Sequence, residues 1–221
     1  VQTFNGTSGN DFLIGGAGID TFNGGAGSDT LVGWGGNDIF NITSKSGSYT
    51  DTIIGGAGTD TLNIAYSGIS SLKDFGLSSS GSDVTATDSA GSSITFNGIE
   101  ALTVNSISYA FAPSTSINSG DGGISNAFYS TSQKTIHSYG STVWYAQNIC
   151  SGSHTLGFNC SDDIEYIGSA SQETLNLNIQ RGGSNYTGDL TIDLKDGNDS
   201  INSAKLKNTQ QIQPWHIIKL K

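Results

Sequence analysis

The chain has 221 residues and a formal net charge of −10, which argues against nucleic-acid binding, a job that needs a basic face. Gly occurs 31 times, Pro twice and Met not at all, and Ser, Thr and Asn are plentiful, which predicts short strands joined by tight turns rather than helices. No apolar run reaches the about 18 residues that a membrane-spanning helix requires.

The chain opens at Val1 without Met and without a charged-then-apolar leader, which fits a processed chain or a piece of a longer one. From Gly6 onwards it reads in nines: GTSGNDFLI, GGAGIDTFN, GGAGSDTLV and GWGGNDIFN, then after an insertion SGSYTDTII and GGAGTDTLN. Each unit carries one aspartate (Asp11, Asp20, Asp29, Asp38, Asp51, Asp60), and two places later an apolar residue (Leu13, Phe22, Leu31, Phe40, Ile53, Leu62). A glycine-rich turn followed by a three-residue strand explains the pattern, because the turn needs backbone conformations and close approaches that favour glycine, while the strand points one apolar side chain inward. Two units make one coil. Asp11, Asp29 and Asp51 then line one edge of a flattened roll, and Asp20, Asp38 and Asp60 the other.

Stacked aspartates repel unless a counter-charge separates them. Calcium takes six to eight oxygens from carboxylates and backbone carbonyls in flexible geometry, so an ion between stacked turns suits these residue types. The competing reading is a metal-free solenoid in which each aspartate hydrogen-bonds its own turn.

Over residues 5–64 the sequence resembles the RTX (haemolysin-type) calcium-binding nonapeptide repeat, G-G-x-G-x-D-x-U-x. The resemblance implies an all-β fold, a calcium-binding parallel β-roll, here followed by further β-solenoid or β-sandwich structure. It also implies a ligand set of two turn carbonyls and the aspartate from each of two stacked turns. On that basis Thr7, Gly9 and Asp11 face Gly24, Ala26 and Asp29. Gly16, Gly18 and Asp20 face Gly33, Gly35 and Asp38. If the insertion at 42–45 loops out, Gly25, Gly27 and Asp29 face Ser46, Ser48 and Asp51, and Trp34, Gly36 and Asp38 face Gly55, Ala57 and Asp60. Extracellular modules of this kind bind calcium with dissociation constants on the order of 10⁻⁴–10⁻³ M, which implies a chain that folds outside the cell and not at cytosolic calcium.

After Ala65 the pattern changes, and the expected domains are a β-roll at 1–66 and a β-rich capping or assembly region at 67–221. DVTAT and SITFN flank DSAG as a hairpin, and EALTV, SISYAFA, STVWYAQ, DIEYIG, TLNLNI and DLTIDL read as further strands. Cys150 and Cys160 close a short loop and are read as a disulfide, the alternative being two buried thiols. LKDGNDSIN echoes one repeat, making Asp196 and Asp199 weaker metal candidates. Asp121, Asp162, Asp163 and Glu165 read as polar turns. The basic, apolar tail carrying Trp215, Ile217, Ile218 and Leu220 reads as a final strand or as an edge for association with a second molecule. Sequons at Asn5, Asn41, Asn185 and Asn198 are expected by chance in so Asn-, Ser- and Thr-rich a chain.

No H-E-x-x-H, G-x-S-x-G or G-x-x-x-x-G-K motif is present, and His137, His154 and His216 are scattered, so the expectation is a non-enzyme. The leading reading is a secreted or cell-surface structural protein (surface layer, adhesin or fibre subunit), with calcium and a second copy as partners. The alternative is a calcium-triggered folding and secretion module of a larger toxin or hydrolase. A weaker third reading binds surface glycans through Trp144, Tyr145 and Tyr166.

Overall fold

The computed structural model describes residues 1–45, 47–111, 123–124, 126–139, 143–145, 163–169, 172, 174–176, 190–195, 200–202 and 218–220. Two compact units divide the chain, Val1–Ala110 and Phe111–Lys221.

The first unit begins with seven strands: β1 Gln2–Asn5, β2 Phe12–Ile14, β3 Asp20–Asn23, β4 Thr30–Gly35, β5 Ile39–Ile42, β6 Thr50–Ala57 and β7 Thr61–Ile64. They alternate between two parallel sheets, with β1, β3, β5 and β7 in one and β2, β4 and β6 in the other. Register is strict. Phe4 pairs with Phe22, Phe22 with Phe40, and Phe40 with Leu62. On the opposite sheet Leu13 pairs with Leu31 and Leu31 with Ile53.

Apart from Phe4, these are the apolar residues two places after each aspartate, and Phe22, Leu31, Phe40, Ile53 and Leu62 are wholly buried between the sheets. The period of the repeat causes this, since each strand contributes an inward side chain at the same level of each coil, and β5 and β7 add a second, Ile42 and Ile64. Phe4, Phe22 and Phe40 stack face to face with ring centroids 4.9 Å apart. Asn5, Asn23, Asn41 and Asn63 form a parallel amide ladder, with amide bonds of 2.7, 2.9 and 3.0 Å. The sequence reading had no role for that ladder; its signal is the asparagine recurring at the ninth place.

The insertion leaves the register intact, because Thr30 still pairs with Thr52 and Ile39 with Thr61. Lys45 anchors the excursion. Its ammonium pairs with Asp88 and lies 5.2 Å from the Tyr66 ring centroid. Tyr66 also donates to Asp88 at 3.1 Å. Burial opposes the charge on Asp88, but bonds from Lys45, from the Ser92 and Ala90 N–H groups and from Tyr66 outweigh it and hold the carboxyl below its ordinary range.

Stacking continues past Ala65. A single 3₁₀ turn, Leu72–Asp74, leads into β8 Phe75–Ser80, β9 Asp83–Asp88, β10 Ser93–Asn97, β11 Ala101–Val104 and β12 Ile107–Phe111. β9 and β10 form the hairpin read from DVTAT and SITFN. β10 lies parallel to β6 and β11 parallel to β7, so residues 93–104 build one further coil on the repeat array. Phe96 continues the Leu13–Leu31–Ile53 row, and Leu102 the phenylalanine row.

In the second unit the strands are β13 Gly123–Ile124, β14 Ala127–Ser130, β15 Thr135–Ser138, β16 Val143–Tyr145, β17 Ile164–Ile167, β18 Thr174–Asn176, β19 Leu190–Asp193, β20 Ser200–Asn202 and β21 Ile218–Leu220. From β15 to β21 they alternate between two parallel sheets, the solenoid form of the expectation rather than the sandwich. The tail contributes β21 alongside β19, as a final strand. Phe128, Ile136, Tyr166, Leu175 and Ile192 are fully buried. Tyr166 is therefore a core ring, not an exposed platform for a sugar. His137 is a buried strand residue whose Nε2 lies 3.2 Å from Thr135 Oγ1. Cys150, Cys160, Asp196 and Asp199 lie outside the described residues.

Candidate metal centre

The aspartates stand in two rows where the turns meet the strands, Asp20 opening β3 and Asp51 lying near the start of β6. On one edge the Asp11 N–H donates to Asp29 Oδ1 at 3.0 Å and the Asp29 N–H to Asp51 Oδ1 at 2.9 Å. On the other edge the Asp20 N–H donates to Asp38 and the Asp38 N–H to Asp60, both at 2.8 Å. The edges divide as the nine-residue period predicts. Asp20, Asp29, Asp38, Asp51 and Asp60 thus use Oδ1 to clip their turns to the preceding coil, and Oδ2 of Asp11, Asp20, Asp29, Asp38 and Asp60 faces its own turn. Asp11 Oδ2 accepts from Thr7 N–H at 2.6 Å and Asp20 Oδ2 from Gly16 N–H at 3.0 Å.

Deeper in the stack that second oxygen loses its donor. Asp38 and Asp60 are fully buried, and their Oδ2 atoms have no hydrogen-bond partner. Leaving a buried charged oxygen unmatched costs more than an ordinary lost hydrogen bond. Burial pushes the carboxyls of Asp29, Asp38 and Asp60 above the ordinary range, against the lowering effect of the N–H bonds they accept, and the stacked acids add to the rise. Burial takes Asp51 furthest, up to about 7, with the Asp29 charge contributing. A row of desolvated carboxylates at one spacing is the electrostatic demand that a bound cation removes.

Backbone oxygens converge on the same places. A Cβ on Gly33 would stand 2.6 Å from the Gly55 carbonyl and would strike Asp38 Oδ2. The Thr7 carbonyl crowds Gly25, and the Gly9 carbonyl lies 2.5 Å from a Cβ on Gly27. Likewise the Gly18 carbonyl meets Gly36, and the Trp34 carbonyl meets Gly56. Second- and fourth-place carbonyls of one turn therefore face the next turn in the stack, and the first-place carbonyl of the later turn faces back. Ala26 donates to the Thr7 carbonyl at 3.1 Å, Gly35 to that of Gly16 at 3.1 Å, and Gly36 to that of Ala57 at 2.9 Å. A carbonyl has two lone pairs, so these bonds leave capacity for a metal.

Three of the four expected turn pairs stack on one another: 7–11 with 24–29, 16–20 with 33–38, and 34–38 with 55–60. In the pair involving residues 46–51, Ser46 lies outside the described residues, while Ser48 Oγ lies 3.5 Å from the Gly91 carbonyl. Among the described residues no group of three or more His, Cys, Asp or Glu side chains converges. The donor set is instead two carboxylates supplemented by backbone carbonyls, the oxygen-only chemistry that calcium prefers.

Trp34 departs from the turn pattern. It occupies the place of Gly25 (φ 96°) and Gly56 (φ 106°) and adopts φ 76°. A left-handed conformation costs a side-chain-bearing residue about 1–2 kcal/mol, part of which glycine returns as unfolded-state entropy. The indole is 70% exposed, so little packing offsets that cost. Trp34→Gly is expected to stabilise the calcium-loaded chain by about 0.5–1 kcal/mol, read as a rise of a few degrees in its thermal midpoint. A lower midpoint would mean that the indole makes a stabilising contact.

Sequence reasoning missed Glu100 and Gly98. The Asp60 N–H donates to Glu100 Oε2 at 2.8 Å, so Glu100 occupies the next level of the aspartate row. The signal is present in the sequence. TFNG at 95–98 repeats TFNG at 21–24, and IEALTV follows with three turn residues removed and Glu in the aspartate place.

A family model for the RTX calcium-binding nonapeptide repeat matches residues 5–40 and 45–63 in four copies. No curated protein matches the chain. Among solved structures, the extracellular lipase LipA from Serratia marcescens is similar at 15% identity and a TM-score of 0.29, over 95% of this chain and 35% of the lipase chain. The chain thus spans about a third of that lipase's length.

Proposed function

Residues 5–63 are an array of RTX repeats, which bind Ca²⁺, and from that premise we propose that the chain is a secreted β-solenoid with a structural role at the cell surface or in an extracellular assembly. Calcium sits between successive turns of each edge, held by the carbonyl and aspartate sets named above. The observation that supports this most is the pair of buried, unpartnered carboxylate oxygens on Asp38 and Asp60, which a divalent cation would satisfy. Affinity in the range of extracellular modules ties folding to export, because the cytosol holds too little calcium to fill such sites.

An assembly role draws support from the outer face of the second sheet. Ile14, Val32 and Ile54 lie side by side there in register, with Phe12 exposed on the edge strand β2. An edge strand carrying apolar side chains is a template for association. In this reading the chain has no catalytic role of its own.

Sedimentation velocity of the chain with and without millimolar calcium tests the proposal. Larger species are expected with calcium and not with magnesium. A calcium-loaded chain that remains monomeric at all concentrations would reject the assembly role, and would favour a folding and secretion module of a longer protein.

A further inference from the structure

The unpartnered Oδ2 of Asp60 lies 2.6 Å from where a Cβ on Gly55 would stand, and the Gly98 carbonyl crowds the same point. Three earlier turns build the same cradle. Asp11 Oδ2 meets the Gly24 carbonyl at Gly6, Asp20 Oδ2 meets the Gly33 carbonyl at Gly15, and Asp38 Oδ2 meets the Gly55 carbonyl at Gly33. The cradle at Gly55 is the next member of this series, yet its far wall is residues 98–100, beyond the matched repeats.

Glu100 supplies the second carboxylate. Its Oε2 accepts the Asp60 N–H at 2.8 Å, the bond that an aspartate accepts at the two preceding levels of this edge. Register explains the exchange of Asp for Glu. Gly98 follows Asn97, which pairs with Ile54, and Ala101 pairs with Thr61, so residues 98–100 span the gap that residues 55–60 span one level earlier. A turn three residues shorter holds its acid farther back, and the extra methylene of Glu restores the reach. The Gly56 carbonyl completes the surround, 3.3 Å from where a Cβ on Gly98 would stand. Among the described residues no ion pair neutralises Asp60 or Glu100.

We propose that Asp60, Glu100 and the carbonyls of Gly56 and Gly98 form an additional calcium site that closes the array. Two carboxylates and two carbonyls leave several positions for water, which a flexible hard cation accepts. Because Gly98 and Glu100 follow the β9–β10 hairpin, an ion there fastens the last regular coil to the irregular strands behind it. The inference rests on the reading that the upstream turns bind calcium.

The test counts calcium ions on the full chain by native mass spectrometry and follows their uptake by calorimetry, for the unsubstituted chain, Glu100→Gln and Glu100→Asp. Gln can still accept the Asp60 N–H but brings no charge, so Glu100→Gln is expected to reach the parent circular dichroism spectrum with one ion fewer. Glu100→Asp keeps the charge at shorter reach and is expected to weaken one binding step by about tenfold without changing the others. Parent counts and affinities in both variants would overturn this site alone. No calcium on the unsubstituted chain would overturn both this site and the array it extends.

Discussion

Stripping calcium from the chain is expected to abolish the ordered β-roll across residues 5–64, and millimolar calcium to restore it while magnesium does not. The folded array stacks Asp11, Asp29 and Asp51 on one edge and Asp20, Asp38 and Asp60 on the other, every carboxylate but that of Asp11 clipped to the coil before it. Without a counter-ion these like charges are desolvated together, and the Oδ2 atoms of Asp38 and Asp60 have no partner. A domain is stable by only about 5–15 kcal/mol, so several uncompensated carboxylates suffice to unfold it. Binding to the folded state alone returns about 2.7 kcal/mol per site at a hundredfold excess over the dissociation constant. Magnesium fails because it demands a small, near-ideal octahedron and keeps its waters. Peptide-resolved hydrogen exchange, with chelator and with each metal, reads the outcome. Protection of residues 5–64 that survives chelation would return the aspartates to a purely hydrogen-bonding role.

Phe40→Ala should cost about 3–5 kcal/mol in saturating calcium, while Phe12→Ala should cost less than about 0.5 kcal/mol. Both phenylalanines lie on strands of the repeat, one residue apart in phase. Phe40 follows its aspartate by two places, points inward and is 0% exposed, stacked on Phe22 at 4.9 Å and in register with Leu62. Phe12 follows Asp11 directly, points outward and is 66% exposed. Removing the inner ring leaves a cavity between two rigid sheets and breaks the ring stack, each ring contact of this kind adding about 0.5–1.5 kcal/mol beyond area. The thermal midpoint of Phe40→Ala should therefore fall by more than about 10 °C. Equal losses in the two variants would mean that the inward and outward phases of the strand are misassigned.

The array was legible in the sequence because its physics is periodic. One aspartate, one inward apolar residue and a glycine turn recur at fixed intervals, and parallel stacking converts sequence interval directly into spatial level. That relation alone placed Phe22 on Phe40 and separated the two aspartate edges. It also carried through the insertion, since an excursion between coils need not disturb the register of either sheet.

Contacts between distant segments set what periodicity does not encode. The anchoring of Lys45 by Asp88 joins residues 43 apart in sequence, and no local pattern predicts which acid a looped-out lysine will meet. The role of Glu100 depends on β10 and β11 stacking on β6 and β7, with a shortened turn that removes three residues of the repeat. Once those strands are in register, backbone spacing dictates which oxygens share a cradle, and a longer acid substitutes for a missing stretch of turn. The repeat, its inward row and its demand for a cation were readable from residue spacing and chemistry alone. Which residue accepts the Asp60 N–H at the next level followed from strand pairing between segments that no longer share a pattern.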